Sequence, residues 1–267
     1  MNPHPAPAPL LIACALGIEH LALRTGDRSV RRRGAPASRG HGGPPARAHS
    51  SVGERGGPDG GGVEHGRPLD TGFQRPGAEP NKKGAGAPVT ILRTGMGPGA
   101  AERAVVRALA DPALAGAAVL ATGFCAGLAP GMHPGDLVVA EETRDPRGTT
   151  PCAGTDLLVK ELVRAVPGRT VHTGPLTGSD HVVRGPERSA LLATGAIAVD
   201  MESAATLLSA VRQGERPVAA VRVVVDAPEH ELVRIGTVRG GISAFHVLRS
   251  VLPAYYEWHR SLLLPWR

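Results

Sequence analysis

Short apolar runs alternate along this chain with stretches in which apolar residues recur at helical spacing. The runs over 9–16, 88–95, 117–123, 136–142, 169–176, 196–201 and 217–226 predict strands. The helical patterns fall over about 99–110, 154–165, 186–194, 202–213 and 238–259, with Gly and Pro at the joins. Strand and helix in turn predict an α/β fold: one domain with a mixed, mainly parallel central sheet flanked by helices. In such sheets ligands bind beyond the carboxyl ends of strands, so those ends are where chemistry is sought. No internal repeat is present.

Residues 28–86 break the pattern. Gly and Pro fill 22 of these 59 positions, and Val30, Val52, Val63, Leu69 and Phe73 are the large apolar residues. Too little apolar surface is available to offset the ordering entropy, which predicts a disordered insertion. The domain then reads as a first strand and helix start over 1–27, the insertion over 28–86, and the remainder over 87–267. The formal charge of +6 and pI near 9.9 suggest nucleic acid at first sight. However, the insertion holds 11 of the 30 Lys and Arg and 5 of the 24 Asp and Glu, which is the whole excess. The folded part is neutral overall, and the charge argument for a nucleic-acid partner lapses.

Cys14, Cys125 and Cys152 are scattered and odd in number, without metal or disulfide spacing, which favours a reducing, cytoplasmic setting and no metal. The run "LIAC" at 11–14 resembles a lipoprotein cleavage box, but "MNPHPAPAP" before it supplies no basic leader, so it reads as a buried strand. Both Tyr and both Trp (Tyr255, Tyr256, Trp258 and Trp266) lie in the last 13 residues beside basic ones. Two readings stand: a C-terminal helix making peripheral contact with a membrane, or one docking its aromatics on the core or on a second copy.

Four strand ends carry unusual residues. Glu19 follows the first strand; "RTGMGPGAA", with Gly95 and Gly97, follows the second; "TGFCAGLAPG", with Phe124 and Cys125, ends the third; Asp226 closes "VRVVVD". At 196–205, "AIAVDMESAA" places Asp200 and Glu202 around Met201 where a strand meets a helix. Singly, each has a plain reading. Glu19 and Glu202 suit the dipole of a helix start, Asp226 a turn before Ala-Pro, and His181 an exposed loop. Glycine loops before helices either cradle anions or merely turn.

Taken together, "CALGIEHLAL", "RTGMGPGAA", "TGFCAGLAPGMHPGDLVV", "TGSDHVV", "VDMESAA" and "VRVVVDAP" resemble the purine/uridine phosphorylase family, which includes the methylthioadenosine/adenosylhomocysteine nucleosidases. The resemblance covers residues 9–24 and 87–259 and implies the nucleoside phosphorylase-like fold. That family cleaves the bond between ribose and base through an oxocarbenium-like transition state, with negative charge gathering on the departing base. The resemblance implies that Glu202 binds the ribose 2′- and 3′-hydroxyls while Met201 packs on the sugar. Asp226 takes the place of the acid that protonates purine N7, His181 stacks on the base, and backbone at Val182 reads its edge. Gly95, Gly97, Phe124 and Cys125 line the anion or sugar side.

The same resemblance divides on the nucleophile. Glu19 falls where nucleosidases hold a glutamate that positions water, with Arg222 near it, whereas phosphorylases grip phosphate with arginines. Phe124 replaces a small hydroxyl residue seen in nucleosidases, and no phosphate-binding arginine stands beside it, a departure that weakens direct phosphate binding and also removes one expected water ligand. Hydrolysis without a cofactor is therefore expected, with phosphorolysis, phosphate serving as co-substrate, as the alternative. "GLAPGMHPGDLVV" and "GSDHVVRGPERSALLATGAIAVDMESAA" are most similar to the hopanoid-biosynthesis branch, whose nucleosidase removes adenine from adenosylhopane. The implied partner is a small-molecule nucleoside, lipid-linked if the hopanoid resemblance holds, and the implied assembly a homo-oligomer. A non-catalytic nucleoside-binding protein is disfavoured because binding alone does not call for all of Glu19, Glu202 and Asp226. A dinucleotide-binding oxidoreductase is disfavoured because the glycine turns lack G-x-G-x-x-G with a downstream acid.

Overall fold

The computed structural model describes residues 8–34, 87–227 and 236–263, with backbone alone for 33–34 and 236–242. They form strands β1 (Leu10–Cys14), β2 (Val89–Arg93), β3 (Ala118–Gly127), β4 (Leu137–Asp145), β5 (Gly148–Pro151), β6 (Val171–Gly178), β7 (Ala198–Asp200) and β8 (Val218–Asp226). The helices are α1 (Gly17–Gly34), α2 (Pro98–Leu109), α3 (Thr155–Ala165), α4 (Pro186–Ala193), α5 (Ser203–Arg212), α6 (Gly236–Ser250) and α7 (Leu252–Leu262). These belong to one compact unit.

The sheet runs β2-β1-β3-β7-β6-β4-β5, and β8 pairs with both β3 and β4. The strands β3, β7, β6, β4 and β8 therefore close a ring, with β1 and β2 extending it on one side and β5 on the other. Five of the pairings are parallel and three (β3–β7, β4–β5, β4–β8) antiparallel, which is the mixed, mainly parallel sheet the pattern predicts. Alternation within β1 shows why it sits centrally. Leu10, Ile12 and Cys14 enter one core, against α1, α6 and α7, and Leu11 enters the other, against α2 and α5. Register shifts interrupt β3 at Cys125/Ala126 and β4 at Ala140/Glu142. Such bulges re-aim strand ends, and the one in β3 adjoins the carboxyl end of β8.

Three expectations change. Helix α1 continues through Gly34, so residues 28–34 are helical rather than the start of the insertion. The i,i+4 ion pair Arg31–Asp27 at 2.8 Å and the bond from Ser29 Oγ to Thr25 O at 2.9 Å extend it. The rest of the insertion, 35–86, lies outside the described residues. The single helix expected over 238–259 is two, because Pro253 in the first turn of α7 cannot continue the helix before it. Finally, the C-terminal aromatics are turned inward. Tyr255 and Trp258 are fully buried, Trp258 Nε1 donates to Ala153 O at 2.8 Å, Tyr255 Oη meets Thr122 Oγ1 at 2.7 Å, and Tyr256 Oη donates to Asp27 at 2.7 Å. Membrane contact through this helix loses the feature it rested on, while Trp266 lies outside the described residues. Among the described residues no helix is long and apolar enough to cross a membrane. The strand β5, an exposed hairpin partner of β4 written in turn-like residues (Gly-Thr-Thr-Pro), was not expected.

Candidate active site

The two acids of "AIAVDMESAA" part company at the junction of β7 and α5. Asp200, the last residue of β7, caps α5 by accepting from Ser203 N at 3.1 Å and pairs with Arg222 Nε at 2.6 Å. Glu202 occupies the N-cap position, yet its side chain makes no cap bond. Instead it crosses to the glycine loop and accepts from Gly97 N at 2.8 Å, at the head of α2. Gly97 (φ 87°) and Gly95 (φ 84°) adopt left-handed backbone that lets this loop turn into the helix. The positive end of α2 thus faces a carboxylate of the protein itself.

Glu19 lies in the first turn of α1 and is 2 % exposed. Its Oε2 accepts from Ala15 N and Leu16 N, and its Oε1 from Phe124 N, each at 2.8 Å. Gly123 makes this possible: a Cβ there would stand 2.5 Å from Glu19 Oε1 and 2.6 Å from Arg222 Nη1, and its φ is 136°. Arg222 is enclosed beneath, donating to Ser203 Oγ at 2.8 Å and Thr122 O at 3.0 Å. Burial works against its charge, but Asp200, Glu202 and Glu19 outweigh that and hold its pKa up. Burial raises the pKa of Glu19 above the usual carboxylate range, against Arg222 and three backbone N–H groups. Glu202 is likewise raised by burial and by Asp200, with Arg222 and Gly97 N–H opposing.

These carboxylates open on a cavity of about 270 Å³. Of the residues expected at a site, Glu19, Glu202, Met201, Asp226, His181, Val182, Phe124 and Cys125 line it. Arg222 does not; it supports the acids from behind. Gly95 and Gly97 do not line it either, and the Gly97 N–H is occupied by Glu202 rather than offered to an anion. Cys125 is a buried thiol whose pKa burial pushes up, a wall rather than a nucleophile. His181 stands at the rim, held by Asp180 at 2.6 Å and Glu187 at 3.0 Å, both of which raise its pKa. It and Met201 also border a neighbouring cavity of about 480 Å³.

Arg188 was missed. It lines the cavity from α4, is 6 % exposed, and forms an ion pair through Nη2 with Asp226 Oδ2. In the sequence it is one charge in "PERSALLA", a helix like many on a surface, and nothing local marks it as buried. Met96 and Leu16 were also missed; Met96, 66 % exposed, forms part of an apolar rim with Val182, 62 % exposed.

The sequence matches the Phosphorylase superfamily over residues 81–239, more than half of the chain. No curated protein matches it in sequence. Among solved structures, the 5′-methylthioadenosine/S-adenosylhomocysteine nucleosidase of Neisseria meningitidis, bound to methylthio-immucillin-A, is similar at 16 % identity and a TM-score of 0.59, covering 92 % of this chain and 97 % of that one. The corresponding nucleosidase of Helicobacter pylori is similar at 15 % identity and a TM-score of 0.59, covering 94 % and 99 %. A futalosine hydrolase mutant of Helicobacter pylori is similar at 14 % identity and a TM-score of 0.60, covering 94 % and 99 %. At these identities the likeness is one of fold.

Proposed function

The chain belongs to the Phosphorylase superfamily, as an enzyme of the nucleosidase or nucleoside phosphorylase kind, and from that premise we propose that it hydrolyses the N-glycosidic bond of a purine nucleoside. One observation carries the reading. Three carboxylates from separate parts of the chain, Glu19, Glu202 and Asp226, meet around one cavity, two of them buried beside an enclosed guanidinium.

In this reading Glu202 accepts hydrogen bonds from the ribose hydroxyls, with Met201 against the sugar. The bond from C1′ to N9 breaks and its electron pair leaves with the base, while Asp226, having taken a proton from solvent at the expense of its ion pair with Arg188, gives it to N7. A water on the Glu19 side attacks C1′ and passes its proton to Glu19, whose raised pKa makes it a better base than an exposed carboxylate. Water rather than phosphate is supported by Arg222 lying outside the cavity and by Arg188, the arginine in its wall, being paired with Asp226. The reaction then needs no cofactor.

The substrate is taken to be an adenosyl compound that releases adenine, by resemblance adenosylhopane. The names of the similar nucleosidases and the apolar rim of Met96 and Val182 support a nucleoside with an apolar substituent. The test incubates the protein with adenosylhopane, methylthioadenosine, adenosylhomocysteine and inosine, with and without phosphate, and measures free base and sugar. Phosphate-independent release of adenine and a free ribosyl product is expected. Strict phosphate dependence with a ribose-1-phosphate product overturns hydrolysis, and release of no base from any of them overturns the reading as a whole.

A further inference from the structure

We propose that the outward face of α1, together with the rim of the cavity, docks on the surface of an anionic lipid bilayer. Helix α1 turns Glu19, Ala22, Leu23 and Gly26 inward and leaves Ile18, Leu21, Arg24, Arg28, Arg31 and Arg32 exposed. At the helical repeat those six fall within a sector of about 140° along one side. The apolar part of this face lies at the cavity. Ile18, 52 % exposed, stands two residues beyond Leu16, which lines the cavity, and Leu21, 55 % exposed, follows one turn later. Met96 and Val182 stand on the rim itself. Four of the seven exposed large apolar side chains among the described residues thus gather at this end of the molecule. Exposed apolar residues scattered singly need no explanation, but a group of them beside an opening does.

The charge on the face selects the partner. Because α1 continues through Gly34, four arginines that the sequence sets apart with the insertion (Arg28, Arg31, Arg32 and Arg33) belong to the folded unit. The helix carries five arginines against two acids, and both acids are engaged elsewhere: Glu19 in the site, Asp27 with Tyr256 and Arg31. Arg93, at the end of β2, brings another cation to the head of the helix, where a Cβ at Gly17 would lie 3.6 Å from its Nη1. A bilayer with anionic headgroups meets both halves of the face at once. Arginines draw phosphate groups at the surface while apolar side chains enter beneath them, as in a helix lying in the interface. A second copy meets them poorly, since a two-fold contact through this face would set arginine against arginine. Nucleic acid answers the arginines and leaves the apolar half in water. Seated on lipid, the cavity opens toward the bilayer, and an apolar substituent on the nucleoside reaches the site without crossing water. That last consequence rests on the hydrolase reading above; the docking does not.

The test sediments the full chain with vesicles in the absence of any nucleoside, so its failure leaves the hydrolase reading standing. The vesicles are phosphatidylcholine alone, or an equimolar mixture of phosphatidylcholine and phosphatidylglycerol. We expect wild type to pellet with the anionic vesicles, to stay in solution with phosphatidylcholine alone, and to pellet less as salt rises. Ile18→Ser with Leu21→Ser, and separately Arg24→Gln with Arg28→Gln, are each expected to weaken the partition about 10–30-fold while keeping the wild-type circular dichroism. Where a double variant loses its fold, Leu21→Ser and Arg28→Gln alone are read in its place. Wild type that stays in solution with both vesicles overturns the proposal. So does loss in only one of the two pairs, since charge alone or apolar contact alone is then enough. A further variant, with residues 36–85 replaced by a neutral linker, separates α1 from the basic residues that follow it. Binding retained there supports α1 as the docking face, and a loss confined to that variant overturns it. A wild-type oligomer that Ile18→Ser with Leu21→Ser dissociates on size exclusion assigns the face to a second copy and overturns it as well.

Discussion

Asp200 and Glu202 stand two residues apart and do different work, because the strand-to-helix turn points them apart. Both border the cavity, but Asp200 is spent on Ser203 N and Arg222, while Glu202 keeps one bond to Gly97 N. Holding Glu202 and Glu19 there costs the fold stability, since burial raises both pKa values. The sign follows. The folded state retains their protons above the unfolded value of 4.5, so stability falls as pH rises from there through the folded values. Melting curves of Glu202→Gln should lie above wild type at pH 7 and show a shallower decline as pH rises above 4.5, since the amide still accepts from Gly97 N. Its kcat/KM should meanwhile drop by about 10–100-fold, the worth of charged hydrogen bonds to ribose. A lower melting temperature at pH 7 would contradict the account. At this scale the sequence was legible where chemistry sits at a strand end, as for Glu19, Glu202 and Asp226. It was not for Arg188, whose burial depends on where α4 docks, nor for Arg222, which alternation alone assigns to neither the cavity nor the layer beneath it.

Elements were legible in kind and less so at their limits. The runs of β3, β4 and β8 are apolar enough to declare themselves, while β5 is four residues of turn-like composition made a strand by pairing with β4. Helix α1 outran its sequence signal because ion pairing and the Tyr256–Asp27 bond extend it into a polar stretch. Its fit against α6 is tight at Gly26, where a Cβ would lie 2.4 Å from Arg249 O, a backbone atom. Gly26→Ala should therefore destabilise by about 1–3 kcal/mol through overpacking, despite the better helix propensity of Ala. Urea denaturation measures it, and an unchanged or raised midpoint would show that the helices separate freely.

For the whole molecule, the closed ring explains why residues from three distant parts of the chain meet: Glu19 after β1, Glu202 after β7 and Asp226 at the end of β8 are all carried to one end of it. That the runs of β1 and β2 begin one domain was readable once residues 28–86 were set aside as an interruption; that the ring closes through β8 was not, because pairing partners leave no local mark in a mixed sheet. The pairing of β1 with β2 joins Leu10 to Val89 and Cys14 to Arg93 across the end of α1 and residues 35–86. Folding must close that stretch of chain before the two strands meet, and the entropy of closure grows by about 0.6 kcal/mol with each doubling of length. Replacing residues 36–85 with a flexible linker a quarter as long should accordingly gain about 1.2 kcal/mol of stability. Turnover should be unchanged, since the catalytic carboxylates and the other described cavity-lining residues lie outside it. Denaturant melts and kcat on the same protein test both halves, and a loss of activity would assign that segment a part in the reaction. On this count the interruption is a tether whose length the domain meets each time it folds, and shortening it should speed the docking of β2 on β1.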